Sequence, residues 1–190
     1  MEALPPMEVE VSAEAKDKRI NRLVALTVVV LSVAMGLGNI KDGNIVQAMQ
    51  QAQANSLDRW NEYQATRTKL HIVQTAQAQL AAAVPGPHME EAYASFEAEA
   101  DKYKAETPKL AKEAQGFSDQ YDALNVHDDQ FDAAEASLAT AISIAAVAAL
   151  TESWVPLIAS WVIGAFGLFM TICGFAGWPF HPDVLSTLLG

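Results

Sequence analysis

Three blocks of this chain are nearly free of charge, and they limit the fold more than any other feature. They are Leu23–Asn39, Ser137–Thr151 and Ser153–Trp178. A soluble globule mixes apolar and polar residues at a period of two or 3.6 along each element. Unbroken apolar blocks instead mark segments whose solvent is lipid. The first block, with Ile20 and Ile40 at its edges, reaches the ~20 residues that cross ~30 Å of hydrocarbon. Ser32-Val33-Ala34 has the small-x-small form of a signal cleavage site. The long, acid-containing segment ahead of the block departs from a signal peptide, so the reading is an uncleaved span.

The second block, within residues 133–150, is rich in Ala and hydroxyls and only weakly hydrophobic. Such a span inserts best when neighbouring helices shelter it. The third runs over residues 154–178. Ser153 is placed to cap it, Pro156 suits a first helical turn, and Trp154 and Trp178 stand at its two ends, where indoles favour the headgroup region. Along it, Ser160, Gly164, Gly167, Thr171 and Gly174 form a stripe of small residues at helical spacing, read as a contact face for another helix. Residues 133–150 are expected to cover only one side of that stripe. The reading therefore includes a homo-oligomer or an assembly with other membrane protein subunits.

Charge sets the orientation. Lys16, Lys18, Arg19 and Arg22 precede the first span, and basic flanks stay in the cytoplasm. The N-terminus is thus expected inside, with the segment after the first span and the C-terminus outside the cytoplasm. The loop Thr151-Glu152-Ser153 has no basic residue to add to this. Acids outnumber Lys and Arg by 23 to 12, for a net charge of −11. That balance sets aside a nucleic-acid partner, which requires a basic stripe, and argues against a polybasic clamp on anionic lipid.

Between the first two spans lies a long polar insert. Residues 44–84 read as one helix, without Gly or Pro, with a heptad seam through Ile45, Met49, Ala52, Ser56, Arg59, Tyr63, Thr66, Leu70, Val73, Gln77, Leu80 and Val84. Such a helix is ~60 Å long and needs a partner along its length. Pro85-Gly86-Pro87 predicts a reversal. A second seam then runs from Met89 through Tyr93, Phe96, Ala100, Leu110, Ala114, Phe117 and Phe131 to Ile142. Pro108 is expected to kink or split this arm, with Gly116 and Asn125-Val126-His127 as further weak points.

The fold class that follows is an all-α membrane protein. It has three transmembrane helices and a long, coiled-coil-like, antiparallel helical hairpin outside the membrane between spans one and two. The divisions are an acidic tail with a basic flank at 1–19, which read alone is disordered, then a span at 20–40. A hairpin at 41–132 turns at 85–87. Spans at 133–150 and 154–178 follow, and an interfacial tail occupies 179–190.

Few residues suggest chemistry. His127, Asp128, Asp129 and Asp132 have metal-ligand character, but an acidic, solvated collar above the membrane is the stronger reading, and no metal or cofactor is expected. Trp60 and Tyr63, one turn apart, are read as anchors for packing against the opposite arm, with Arg59 and Arg67 pairing to its acids. The lone Cys173 excludes an intrachain disulfide. No phosphate loop, nucleophile elbow or zinc-protease motif occurs, so the chain reads as a non-enzyme. The function expected is structural: self-assembly, or an accessory subunit bracing a larger membrane complex. The alternative is a component of an ion-conducting transport assembly, weakened by the lack of an acid buried within a span.

Three stretches together resemble the bacterial domain-of-unknown-function family 4337. They are Met7-Glu8-Val9-Glu10-Val11 ahead of the basic patch, Leu57-Asp58-Arg59-Trp60-Asn61-Glu62-Tyr63-Gln64-Ala65, and Asp128-Asp129-Gln130-Phe131-Asp132-Ala133-Ala134-Glu135. The order of elements matches over nearly the whole chain. The resemblance implies the same three-span layout in a bacterial inner membrane and brings no catalytic residues. It also implies basic residues between the last two spans, where this chain has Thr151-Glu152-Ser153.

Overall fold

A computed structural model describes the backbone of residues 7–83 and 86–180, and side chains from residue 18 onward. The described chain is helical, in three elements: α1 (Met7–Ala81), α2 (Met89–Thr151) and α3 (Trp154–Ala176). Each contains a stretch long and apolar enough to cross a membrane. The stretch in α2 has the lowest mean hydropathy, 1.7 against 2.2 and 2.0, and also the largest buried share, 39% against 17% and 33%. The least apolar of the three stretches is therefore the most buried, as its alanines and hydroxyls predict.

Two expectations about continuity are corrected. Residues from Met7 onward belong to α1 and are not irregular. Propagating an existing helix costs far less than nucleating one. The second arm is also unbroken, since α2 runs through Pro108, Gly116 and Asn125 alike. Pro108 removes one backbone donor. It lies exposed, as does Lys104 one turn back, so the freed carbonyl is on the wet side of the helix. The expected disorder of residues 1–6, the part of Val84 and Pro85 in the reversal, and the interfacial tail beyond residue 180 fall outside the described residues.

The chain divides into two compact units. Unit 1 comprises Met1–Val46 and Leu124–Gly190, and unit 2 comprises Gln47–Ala123. In unit 1 the core is built along three helices. Ile20 and Val24 of α1 pack with Ala145 and Ala148 of α2 and Leu157 of α3. A second cluster joins Leu31 to Leu138 and Ala141. Between α2 and α3 the turn is two residues long. Glu152 takes the left-handed conformation with φ 50°, and Ser153 caps α3 by accepting from the Val155 N–H. At the other end Gly177, at φ 68°, ends α3 in the conformation a glycine adopts without penalty.

In unit 2 the expected seam is the least exposed stripe of each helix. Met49, Ala52, Ser56, Thr66 and Val73 of α1 are buried, as are Ala100, Leu110 and Ala114 of α2. Tyr93, placed on the seam by spacing, is 45% exposed instead.

Candidate functional site

The small-residue stripe of α3 is buried over its whole length, and what covers it lies within unit 1. A Cβ placed on Gly164 would stand 3.1 Å from a methyl of Leu31 in α1. On Gly167 it would stand 2.8 Å from Leu138 Cγ and 3.2 Å from the Ala134 carbonyl oxygen. On Gly174 it would come within 2.6 Å of the Phe131 ring. Ser160 Oγ donates to the Ala141 carbonyl at 2.7 Å, and Thr171 Oγ1 to the Gly167 carbonyl of its own helix at 2.9 Å. The stripe is thus a helix contact face, as its spacing predicts. Residues 133–150 cover part of it, and Leu31 of α1 lies over Gly164. The chain's own helices use the face that was expected to need another subunit.

Phe131, read only as a seam position, and Gln130, read only as part of a motif, have roles that sequence reasoning missed. Phe131 is 3% exposed, fills the gap that Gly174 leaves, and meets Phe175 edge-on with ring centroids 5.4 Å apart. Gln130 is fully buried. Its Nε2 donates to the carbonyls of Trp178, at 2.8 Å, and Phe180, at 2.5 Å, just past the end of α3. His127 Nδ1 lies 3.0 Å from Gln130 Oε1. A buried amide with so many partners is a structural clamp, because leaving any of these groups unpaired would cost free energy. The sequence signal was the pairing of a large aromatic with distant glycines, which becomes readable only once the helices are placed side by side.

Beside this clamp is a group of acids. Asp42 of α1 and Asp128 of α2 share a hydrogen bond, and Asp42 Oδ1 is buried without a partner. Burial raises the pKa of Asp128 to about 6, helped by the charges of Asp42, Asp132 and Asp129. Burial also raises Asp42, against the hydrogen bond from Asp128, and raises Asp132, with Asp42, Asp129 and Glu135 adding to that shift. Asn125 Nδ2 donates to Asp129 at 3.3 Å, and Asn39 Nδ2 to Glu135 at 3.4 Å. Two carboxyls this close hold a proton between them more readily than they hold two charges. Among the described residues no three His, Cys, Asp or Glu side chains are placed to hold a metal ion.

In unit 2, Trp60 and Tyr63 meet edge-on at 5.3 Å, and Arg67 lies over the Tyr63 ring at 5.7 Å and donates to its hydroxyl at 3.4 Å. These contacts run along one helix. Arg59 does reach the second arm: its Nε is 3.2 Å from Glu113, while its Nη1 holds Glu62 at 2.7 Å. Ser56 Oγ donates to the Ala114 carbonyl at 3.1 Å and lies 3.0 Å from Ser118 Oγ. Trp60 and Tyr63 belong to unit 2, and the α3 stripe belongs to unit 1.

The comparison with known families agrees with the motifs. A family model described as Domain of unknown function (DUF4337) matches residues 20–177. The chain belongs to this family. The match spans the apolar helices, the long insert, and the Gln130 and Phe131 positions that clamp the end of α3. No curated protein and no solved structure matches the chain.

Proposed function

We propose that the chain is a non-enzymatic, three-span protein of the bacterial inner membrane, whose long helical insert is an arm for assembly with itself or with other membrane subunits. One observation carries this reading: the thinness of the seam in unit 2. Its buried residues are mostly small or polar, and only Met49, Val73 and Leu110 are large and apolar. Outside the seam, Leu57 and Ile72 are 58% and 62% exposed. Two helices joined by so narrow a stripe gain much by adding further helices to their outer faces.

The insert reads as an antiparallel hairpin. Arg59 and Glu113, which form an ion pair, are equally far along the chain from Gly86. On this register Leu70 faces Lys102, so cysteines at those two positions should crosslink within one chain. Crosslinks found only between chains would mean arms swapped between protomers. The orientation rests on the basic flank of α1, which places the insert outside the cytoplasm. A cysteine near Gly86 should then react with an impermeant thiol reagent in intact spheroplasts, and labelling only after lysis would reverse the topology.

The assembly itself is tested by purifying the full chain in mild detergent, measuring its mass by light scattering and identifying co-purifying chains. A complex larger than one chain is expected, and a clean monomer at all concentrations with no partner would defeat the proposal. The acids around Asp42 and Asp128 favour a second reading, an ion-conducting component. Conduction needs polar groups free along a span, whereas Ser160, Thr171 and Trp161 each spend a donor inside unit 1. That contrast supports the structural reading over the transport one.

A further inference from the structure

We propose that unit 1 binds one anionic phospholipid, with an acyl chain lying in a groove between α1 and α3 and the phosphate held by Arg19 and Arg22. The proposal rests on the reading of α1 and α3 as membrane spans. The groove has a volume of about 310 Å³ and is lined by Leu23, Leu26 and Val30 on one side and Trp161, Ala165 and Leu168 on the other. The polar side chains lining it are engaged with each other, since the indole Nε1 of Trp161 donates to Thr27 Oγ1 at 2.8 Å. The indole has no second donor. What remains for an occupant is hydrocarbon surface, and a flexible acyl chain matches it.

Charge chooses the rest of the molecule. Arg19 and Arg22 precede Leu23 and Leu26 by one helical turn, so they stand on the same face of α1 as the groove. Both are exposed. The guanidinium of Arg19 lies over the ring of Trp154, 6.0 Å from its centroid. Trp154 precedes Trp161 by two turns on α3, so the groove and the arginines meet at one end of the unit. A guanidinium fork matches a phosphate better than any other lipid group, and a tryptophan at headgroup depth fits the same position. A second copy of the chain is a poorer occupant. The rim at Leu26, Val30 and Leu168 is made of large side chains, which hold another backbone at a distance, and a helix there would leave the arginines unmatched. The acidic balance argues against a polybasic clamp of about four or more cations, and two arginines on one phosphate are not such a clamp.

The experiment uses the full chain in phosphatidylcholine vesicles carrying trace spin-labelled phosphatidylglycerol or spin-labelled phosphatidylcholine. The immobilised fraction of each label gives its relative association with the protein. Phosphatidylglycerol should be favoured about tenfold, the effect of one to two surface arginines. Arg19→Gln with Arg22→Gln should abolish the preference. Ala165→Phe, at an exposed lining position, should reduce immobilisation of both lipids with the arginines intact. Equal association in the wild type, a preference that survives the double substitution, or unchanged immobilisation in Ala165→Phe would each overturn the site. So would a crosslink between cysteines at position 26 of two chains with no immobilised lipid, which would assign the groove to a second copy. Failure of the membrane reading has its own signature: the chain would leave the vesicles in a carbonate wash before any lipid preference is measured.

Discussion

The two units place helices side by side by different means. In unit 1 the close approach is made by glycine: Phe131, Leu138 and Leu31 occupy the spaces left at Gly174, Gly167 and Gly164. In unit 2 the seam consists of Ala, Ser and Thr with a few large apolar residues, and an exposed ion pair from Arg59 to Glu113 lies at its edge. Where lipid tails are as apolar as leucine, sequestering apolar surface gives helices little reason to associate, and steric fit has to supply it. Where water is the solvent, even a thin apolar stripe is worth burying, and a loose fit is tolerated. The first arrangement should be brittle toward enlargement, and the second forgiving.

The strongest way to break this contrast is Gly174→Leu. The obstacle there is an aromatic ring, which cannot bend aside, so a loss of about 3 kcal/mol is expected, at the upper end for overpacked cores. Thermal unfolding in mild detergent would measure it, and Phe131→Ala in the same chain should restore part of the loss. Full wild-type stability in the single variant would refute the steric account. Next in size is Gln130→Leu, which removes the donor to the Trp178 and Phe180 carbonyls and is expected to cost about 2 kcal/mol. Limited proteolysis should then cut near residue 178 faster than in the wild type.

A smaller effect, of opposite sign, is expected from Asp128→Asn. The folded pKa of Asp128 is raised to about 6 from 3.8, so the folded state favours the proton. The stability this proton brings is complete below pH 3.8 and is lost as pH rises through about 6. Asparagine keeps a donor toward Asp42 and carries no charge. It should stabilise the chain by about 1 kcal/mol at pH 7.5, once solvent screening of a partly exposed group is allowed for, and by almost nothing at pH 3.5. Melting curves at the two pH values decide it, and an equal shift at both would remove the carboxyl pair from the explanation. The smallest effect belongs to unit 2. Arg59→Ala should cost no more than about 0.5 kcal/mol, because both partners in its ion pair are half exposed. A loss as large as that of Gly174→Leu would erase the difference between the units.

Much of this was legible from the sequence, because it depends on local pattern. The apolar blocks, the Ser153 cap, the small-residue stripe and the alternating four-and-three spacing of the insert are all properties of neighbours along one helix. The features that were missed join residues far apart in the chain. Asp42 sits in Lys41-Asp42-Gly43, which alone reads as an ordinary charged stretch, and only the placement of α1 against α2 gives it Asp128 as a partner. Leu31 looks like any lipid-facing residue until it is found over Gly164. Pro108 misled for another reason. The penalty for proline assumes that the freed carbonyl goes unpaired, and an exposed one can turn to water.

The clamp at Gln130 also settles a point of proton chemistry. Two backbone carbonyls can only accept, so the amide nitrogen must face them, and the amide oxygen must face His127. An oxygen needs a hydrogen from its neighbour, and His127 therefore carries one on Nδ1. In the neutral ring the lone pair is then left on Nε2. One glutamine thus selects the tautomer of a histidine three residues away, and nitrogen NMR of the imidazole should register a protonated Nδ1 for as long as the end of α3 stays in place.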